Sequence, residues 1–162
     1  MNLRHIVLIS LLAAASMLAI GCSATGDPSA TVQPDGEVVN GDDVQELAYN
    51  GNDPVSYFAI EKATKGIPQL SVVWNGARYL FANKENLEKF KVEPSKYLAQ
   101  FDSHCPVSLS KGGRVHGDPS AWRVFKDRLY FFAGEGLAKQ FDDDPEGVID
   151  TANREWEKQK AN

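Results

Sequence analysis

The dipeptide Asn75-Gly76 separates two short runs of β-branched and aromatic residues, at positions 70–74 and 77–81. Asn and Gly tolerate the positive φ angles of a two-residue turn, so this pattern predicts a β-hairpin. Lys126-Asp127 separates a second pair of such runs, at 122–125 and 128–132. We therefore expect a chain built on two β-hairpins.

Helical patterns follow each hairpin. Asn83 is placed to cap a helix over residues 84–91, and Pro94 is placed to begin a short one through residue 98. Two further helices are predicted at 137–141 and 145–156. The sequence thus predicts an α+β fold, a small single domain whose two hairpins form one antiparallel sheet packed by three or four helices. The aromatic residues at strand and helix positions are expected to face the core: Trp74, Tyr79, Phe81, Phe90, Trp122, Phe125, Tyr130 and Phe132.

The N-terminus has the pattern of an export signal. Arg4 precedes an uncharged run at 6–20, and small residues lead into Cys22. The run is shorter than the roughly 20 residues that a membrane-spanning helix needs, which disfavours a retained anchor. We predict that residues 1–21 are a lipoprotein signal peptide and that Cys22 is acylated, with palmitate-type chains. A plain secreted protein is the alternative, since Ala19 stands where leucine is usual.

The expected location is the bacterial cell envelope, with the protein anchored to a membrane through Cys22 and facing the periplasm. Ser23 follows the cysteine where aspartate would signal retention at the inner membrane, so the outer membrane is favoured. Residues 22–43 are rich in Gly, Ser, Thr, Pro and Asp and are predicted to be a flexible tether. We identify no internal repeat and expect one domain over residues 44–158.

The charge pattern argues against nucleic acid as a partner. The chain has 17 Lys and Arg against 22 Asp and Glu, a formal net charge of −5. No stripe of basic residues is present, and binding to phosphates would need one.

One loop contains the three softest candidate ligands of the mature chain, Cys105, His104 and His116. A thiolate with imidazole suits copper or zinc, and Gly112-Gly113 would let the chain reverse so that His116 returns towards Cys105. Adjacent residues of an extended chain point to opposite sides, however, which would separate His104 from Cys105. The alternative is that Cys105 is a small buried apolar residue and that the histidines satisfy local hydrogen bonds.

Enzyme chemistry is not expected. Adjacency in sequence does not give the in-plane contact of a Cys–His nucleophile, and no second cysteine could resolve a disulfide. Asp53 and Asp118 both precede proline and are expected to begin turns. The acidic run 142–144 is expected to favour the start of a helix.

The chain resembles the exported YHS-domain proteins over most of residues 49–158. The motifs that carry the resemblance are Gly51-Asn52-Asp53-Pro54-Val55-Ser56-Tyr57-Phe58, Lys65-Gly66, Trp74-Asn75-Gly76-Ala77-Arg78-Tyr79-Leu80-Phe81, Pro94-Ser95-Lys96-Tyr97-Leu98, Cys105, Asp118-Pro119-Ser120-Ala121-Trp122, Leu129-Tyr130 and Ala152-Asn153-Arg154-Glu155-Trp156. The resemblance implies a small α+β module that binds metal, with Cys105 as the family's cysteine. The chain departs from the family at Asn52, where tyrosine is usual, and at Ser103-His104, where glycine-tyrosine is common. It also lacks the Tyr-His-Ser tripeptide.

Two hypotheses follow from the sequence. The first is a lipid-anchored periplasmic binding module that holds copper or zinc through Cys105, helped by His104 or His116. The second is a non-catalytic protein-interaction or scaffold module in which Cys105 is a structural buried cysteine.

Overall fold

The computed structural model describes residues 31–32, 38–39 and 46–161. The predicted signal peptide, Cys22 and most of the predicted tether lie outside these residues. The strands are β1 (Thr31–Val32), β2 (Val38–Val39), β3 (Glu46–Leu47), β4 (Ile67–Trp74), β5 (Ala77–Phe81), β6 (Asp118–Phe125) and β7 (Arg128–Phe132). The α-helices are α1 (Ser56–Ala59), α2 (Lys84–Val92), α3 (Pro106–Ser110), α4 (Glu135–Asp143) and α5 (Pro145–Lys160). The predicted α+β class is confirmed.

Both predicted hairpins are present, as β4–β5 and β6–β7. Each turns through two residues with positive φ, Asn75 and Gly76 in the first and Lys126 and Asp127 in the second. The hairpins do not join into the single sheet that we expected. β4 and β5 form a three-stranded sheet with β3, which runs parallel to β5, while β6 and β7 form a sheet of their own.

The helices begin where side-chain caps and prolines place them. The Oδ1 atom of Asn83 accepts a hydrogen bond from the Asn86 N–H (2.8 Å), as predicted for α2. Asp144 caps α5 in the same way by accepting from the Gly147 N–H (3.0 Å). The short helix predicted after residue 93 is a 3-10 turn, Pro94–Tyr97. Within the part of the chain that the structure describes, no helix is both long and apolar enough to cross a membrane.

The domain consists of two halves with the same local architecture, which corrects our reading that the sequence contains no repeat. Each half has a 3-10 turn, a short helix, a hairpin and a longer helix, in that order. The turns are Ala48–Gly51 and Gln100–Ser103, and each contains consecutive residues in the left-handed region. These residues are Tyr49, Asn50 and Gly51 in the first half, and Phe101, Asp102 and Ser103 in the second.

Hydrogen bonds repeat along with the elements. The Asp53 N–H donates to Thr64 O (2.8 Å), and the Cys105 N–H donates to Val115 O (2.8 Å). Likewise, the Gly66 N–H donates to Gly51 O (2.9 Å), and the Gly117 N–H donates to Ser103 O (2.7 Å). The sequence carries a faint trace of this repeat, since Pro-Val-Ser follows both Asp53 and Cys105.

Each half has one glycine just before the first strand of its hairpin, where the chain passes close to the second strand. A Cβ atom on Gly66 would lie 2.4 Å from the backbone of Leu80, and one on Gly117 would lie 2.4 Å from the Cβ of Phe131. No side chain fits at either place. The two halves therefore use glycine at the same point and for the same reason, the close approach of two backbone segments.

Aromatic rings pack the two halves together. Tyr49 and Tyr57 of the first half lie edge-on to Phe131 of β7, with ring centroids 4.8 and 5.5 Å away. Tyr57 also packs against Trp122 (5.1 Å) and donates a hydrogen bond to Pro119 O (2.9 Å). Burial raises the pKa of both tyrosines above the ordinary value. The aromatic residues that we assigned to the core are buried or packed against it.

Candidate functional site

Cys105 lies directly before α3, at the end of the second left-handed turn. Its side chain is fully buried. It belongs to an apolar cluster whose other buried members are Val107, Ala121, Tyr130, Phe132, Ala138 and Phe141. The thiol is therefore part of the core of the second half.

The equivalent residue in the first half is Asp53, which is also fully buried. Its Oδ1 atom accepts from the Val55 N–H (2.8 Å), and its Oδ2 atom accepts from the Ala82 N–H (2.9 Å) and from Asn86 Nδ2 (2.6 Å). Asp53 thus ties its turn to the end of β5 and the first turn of α2. As the sequence indicated, this aspartate has a structural role.

In the second half, apolar residues stand at the positions of both Asp53 and Asn86. α2 begins at Lys84 and α4 at Glu135, so the residue equivalent to Asn86 is Leu137. Leu137 packs against the same apolar cluster as Cys105. Where the first half joins turn and helix by hydrogen bonds, the second half joins them by apolar contact.

His104 points away from this cluster. Both His104 and Cys105 have extended backbone conformations, so their side chains lie on opposite sides of the chain. The ring is buried, with only 6% of the residue exposed. Its Nδ1 atom lies 2.9 Å from Phe101 O, and because a carbonyl oxygen only accepts, Nδ1 carries the proton. The Nε2 atom then accepts from Arg114 Nε (3.4 Å).

His116 returns as the glycine pair Gly112-Gly113 suggested, but it meets His104. The two residues form an antiparallel bridge, and their rings stack with centroids 4.1 Å apart. His116 itself is exposed. Trp156 of α5 lies beneath, 5.4 Å from the His104 ring, and the guanidinium of Arg114 lies 4.9 Å from the Trp156 ring.

The structure thus brings two of the three predicted ligands together and places the third elsewhere. Stacked rings direct their lone pairs side by side, so they do not converge on one point. His104 Nε2 is in addition engaged by Arg114. Among the described residues, no group of three or more His, Cys, Asp or Glu side chains is arranged to hold a metal ion.

A surface groove of about 720 Å³ lies between α1 and β6. Its apolar lining comes from Tyr57, Phe58, Trp122 and Val124, and its charged lining from Glu61, Lys96, Arg123, Asp127 and Glu135. Arg123 bonds both Glu135 and Asp142 at 2.9 Å. This hydrogen bonding lowers the pKa of Glu135 and keeps it ionised. The groove combines aromatic side chains with charged ones, and Tyr57 lies buried at its base.

The contacts of His104 with Arg114 and Trp156, and the hydrogen bond between Asp53 and Asn86, were not predicted from the sequence. The repeated Pro-Val-Ser would have drawn attention to the equivalence of Asp53 and Cys105. No family model, no curated protein and no solved structure matches this chain.

Proposed function

We propose that this chain is a non-catalytic binding or scaffold module, anchored to the bacterial envelope by an acyl group on Cys22, in which Cys105 is a structural residue. The observation that carries the proposal is the burial of Cys105 at the position where the other half has the structural Asp53. A thiol buried in an apolar cluster is inert, because reaction or metal binding requires an accessible thiolate. The groove between α1 and β6 is the surface that we assign to the partner.

Thiol labelling tests the structural role of Cys105. In a chain with Cys22→Ala, so that Cys105 is the one thiol, the native protein should not react with a maleimide, and it should take up one equivalent when unfolded in guanidinium. Ser120→Cys is a matched control, since Ser120 is exposed on the same domain. This variant should label at once under native conditions. Fast labelling of native Cys105 would contradict the proposal.

The anchor rests on the sequence pattern before Cys22. Intact mass of protein extracted from membranes should exceed that of residues 22–162 by the mass of the acyl and glyceryl groups. Cys22→Ala should abolish this addition and release the protein from the membrane fraction. An unmodified mass would contradict acylation of Cys22 and favour a secreted protein without a lipid anchor.

Metal binding remains a second candidate, favoured by the contact of His104 with His116. It would require the loop at 111–117 to open, since Arg114 must leave His104 Nε2 and Cys105 must leave its cluster. Copper or zinc would then be held by Cys105 with one or both imidazoles. The two candidates differ in what they predict for Cys105→Ser.

A further inference from the structure

Each half of the domain has a pocket beside the turn of its hairpin. The pocket of the first half measures about 250 Å³ and that of the second half about 310 Å³. Equivalent residues line them. Tyr79 and Tyr130 are each the third residue of the second hairpin strand, and Tyr49 and Phe101 are each the first left-handed residue of the turn. The two pockets are therefore one feature of the fold that occurs twice.

In the first half, the tyrosine hydroxyls at this pocket have partners within the protein. The Tyr49 hydroxyl accepts a hydrogen bond from the Ala99 N–H (2.7 Å). It is also the side-chain partner of the Tyr79 hydroxyl, with the two ring centroids 5.4 Å apart. The pocket of the first half thus needs no ligand to satisfy its hydroxyls.

In the second half, Phe101 stands in place of Tyr49 and offers no hydroxyl. Tyr130 is only 3% exposed, yet within the described part of the chain its hydroxyl has no hydrogen bond. The oxygen is not sealed in the core either, so it opens onto the pocket that Tyr130 lines. Burial raises the pKa of Tyr130, against a smaller effect of the Arg128 charge, so the hydroxyl keeps its proton. A buried, unpaired donor at the base of a pocket is a group that a ligand can satisfy.

The walls of this second pocket come from the hairpin and from α5. Arg128 and Tyr130 are two residues apart on β7 and so lie on the same side of the strand, and Phe125 is paired with Arg128 on β6. The lining residues of α5 are spaced as one face of a helix, and they are Glu146, Ile149, Asp150 and Asn153. The pocket therefore has an aromatic hairpin wall opposite a mostly polar helix wall.

Each wall carries one charge that is not neutralised by the other. Lys126 and Glu146 form an ion pair across the pocket and compensate each other. Arg128 donates to the uncharged Gln100 Oε1 (3.0 Å). Asp150 has no ion pair or hydrogen bond from its side chain among the residues that the structure describes. A cation on the hairpin wall and an anion on the helix wall are thus left for a ligand.

We propose that this pocket binds a small zwitterion with an apolar side chain, such as a free aromatic amino acid. The ligand carboxylate accepts from Arg128 and from the Tyr130 hydroxyl, and its ammonium group donates to Asp150. Its side chain packs against the apolar lining, which is Phe101, Phe125 and Ile149. A volume of about 300 Å³ is at the lower end of the range for small-molecule sites.

This site is separate from the groove between α1 and β6 and shares no lining residue with it. The proposal therefore goes beyond the binding or scaffold role proposed above and does not depend on it. Maleimide labelling and intact mass decide the roles of Cys105 and Cys22 independently of any ligand in this pocket.

Three probes that differ only in their backbone charges test the assignment. They are L-phenylalanine, N-acetyl-L-phenylalanine, which lacks the ammonium group, and L-phenylalanine amide, which lacks the carboxylate. Isothermal titration calorimetry on the full chain should show one site for L-phenylalanine. Each derivative should bind about tenfold more weakly or worse, because it leaves Asp150 or Arg128 without a charged partner.

Two matched variants separate binding from stability. Tyr130→Phe should keep the Tm of the wild type, because its hydroxyl has no partner in the protein, and should weaken L-phenylalanine binding about fivefold. Tyr79→Phe removes the equivalent hydroxyl of the first half. It should lower the Tm by about 3 °C or more and leave the affinity unchanged.

A second pair keeps the test decisive if Tyr79→Phe does not fold. Asp150→Asn should weaken L-phenylalanine binding about tenfold, and Asp143→Asn, at an exposed position outside the pocket, should not. Equal affinity for the three probes, or binding of none of them, would overturn the zwitterion site. Wild-type affinity in both Tyr130→Phe and Asp150→Asn would place any bound amino acid elsewhere and would overturn it as well.

Discussion

Cys105 occupies the place in the second half of the domain that Asp53 occupies in the first. Both side chains are fully buried at the residue before Pro-Val-Ser, and both backbone N–H groups donate at 2.8 Å to the segment that precedes the hairpin, to Thr64 O and Val115 O. One position is polar and hydrogen-bonded, and the other is apolar and packed. This position joins the turn to the longer helix of its half. The contact is a set of hydrogen bonds to α2 in the first half and apolar packing with α4 in the second.

The equivalence predicts that the second half can be converted to the chemistry of the first. Cys105→Asp alone should lower the free energy of unfolding by about 3 kcal/mol or more, because it buries a carboxylate without the Asn partner. Adding Leu137→Asn should recover at least about 1 kcal/mol, a favourable coupling between adjacent residues. Chemical denaturation of the wild type, both single variants and the double variant measures this coupling. A double variant no more stable than the sum of its parts would disprove the equivalence.

The first half should depend on its carboxylate. Asp53→Ala removes the acceptor of three hydrogen bonds and leaves the Ala82 N–H and the Asn86 amide without their partner. We expect a loss of about 2–4 kcal/mol in the free energy of unfolding, since buried unpaired donors carry a desolvation cost. Asp143→Ala is the control, because Asp143 is exposed. Equal free energies of unfolding for the two variants would show that Asp53 has no structural role.

Alkaline pH should weaken the interface between the halves. Burial raises the pKa of Tyr49 and Tyr57 in the folded state, while both titrate near 10 when unfolded. The folded state therefore retains protons that the unfolded state releases, and its free energy of unfolding should fall as the pH rises above about 10. Ultraviolet titration should show these two tyrosines ionising only as the domain unfolds. If all five tyrosines ionised at pH ~10 while the protein stayed folded, the result would contradict this packing.

The sequence predicted what depends on local pattern. The Asn75-Gly76 hairpin, the Asn83 cap and the aromatic core all follow from residue types at short spacing, and the structure confirms them. The pairing of β3 with β5 and the separation of the hairpins into two sheets depend on contacts between distant residues, which no local pattern encodes.

The candidate site was predicted in part, for the same reason. Gly112-Gly113 indicated that the loop returns, and His116 does come back. Its contact is His104 because the extended backbone turns Cys105 into the core, a possibility that alternation had raised. The repeat was not predicted from the sequence, because the two halves share the positions of glycines and turns while their buried side chains differ.

A competition titration with a chromophoric chelator for copper(I) and zinc shows whether Cys105 is structural or a metal ligand. Wild type, Cys105→Ser and His116→Ala should be compared, with circular dichroism to confirm that each is folded. If Cys105 is structural, Cys105→Ser should bind each metal as the wild type does, whether through surface imidazoles or not at all. A wild-type site of one metal per chain that is lost in folded Cys105→Ser would contradict it and establish Cys105 as a ligand.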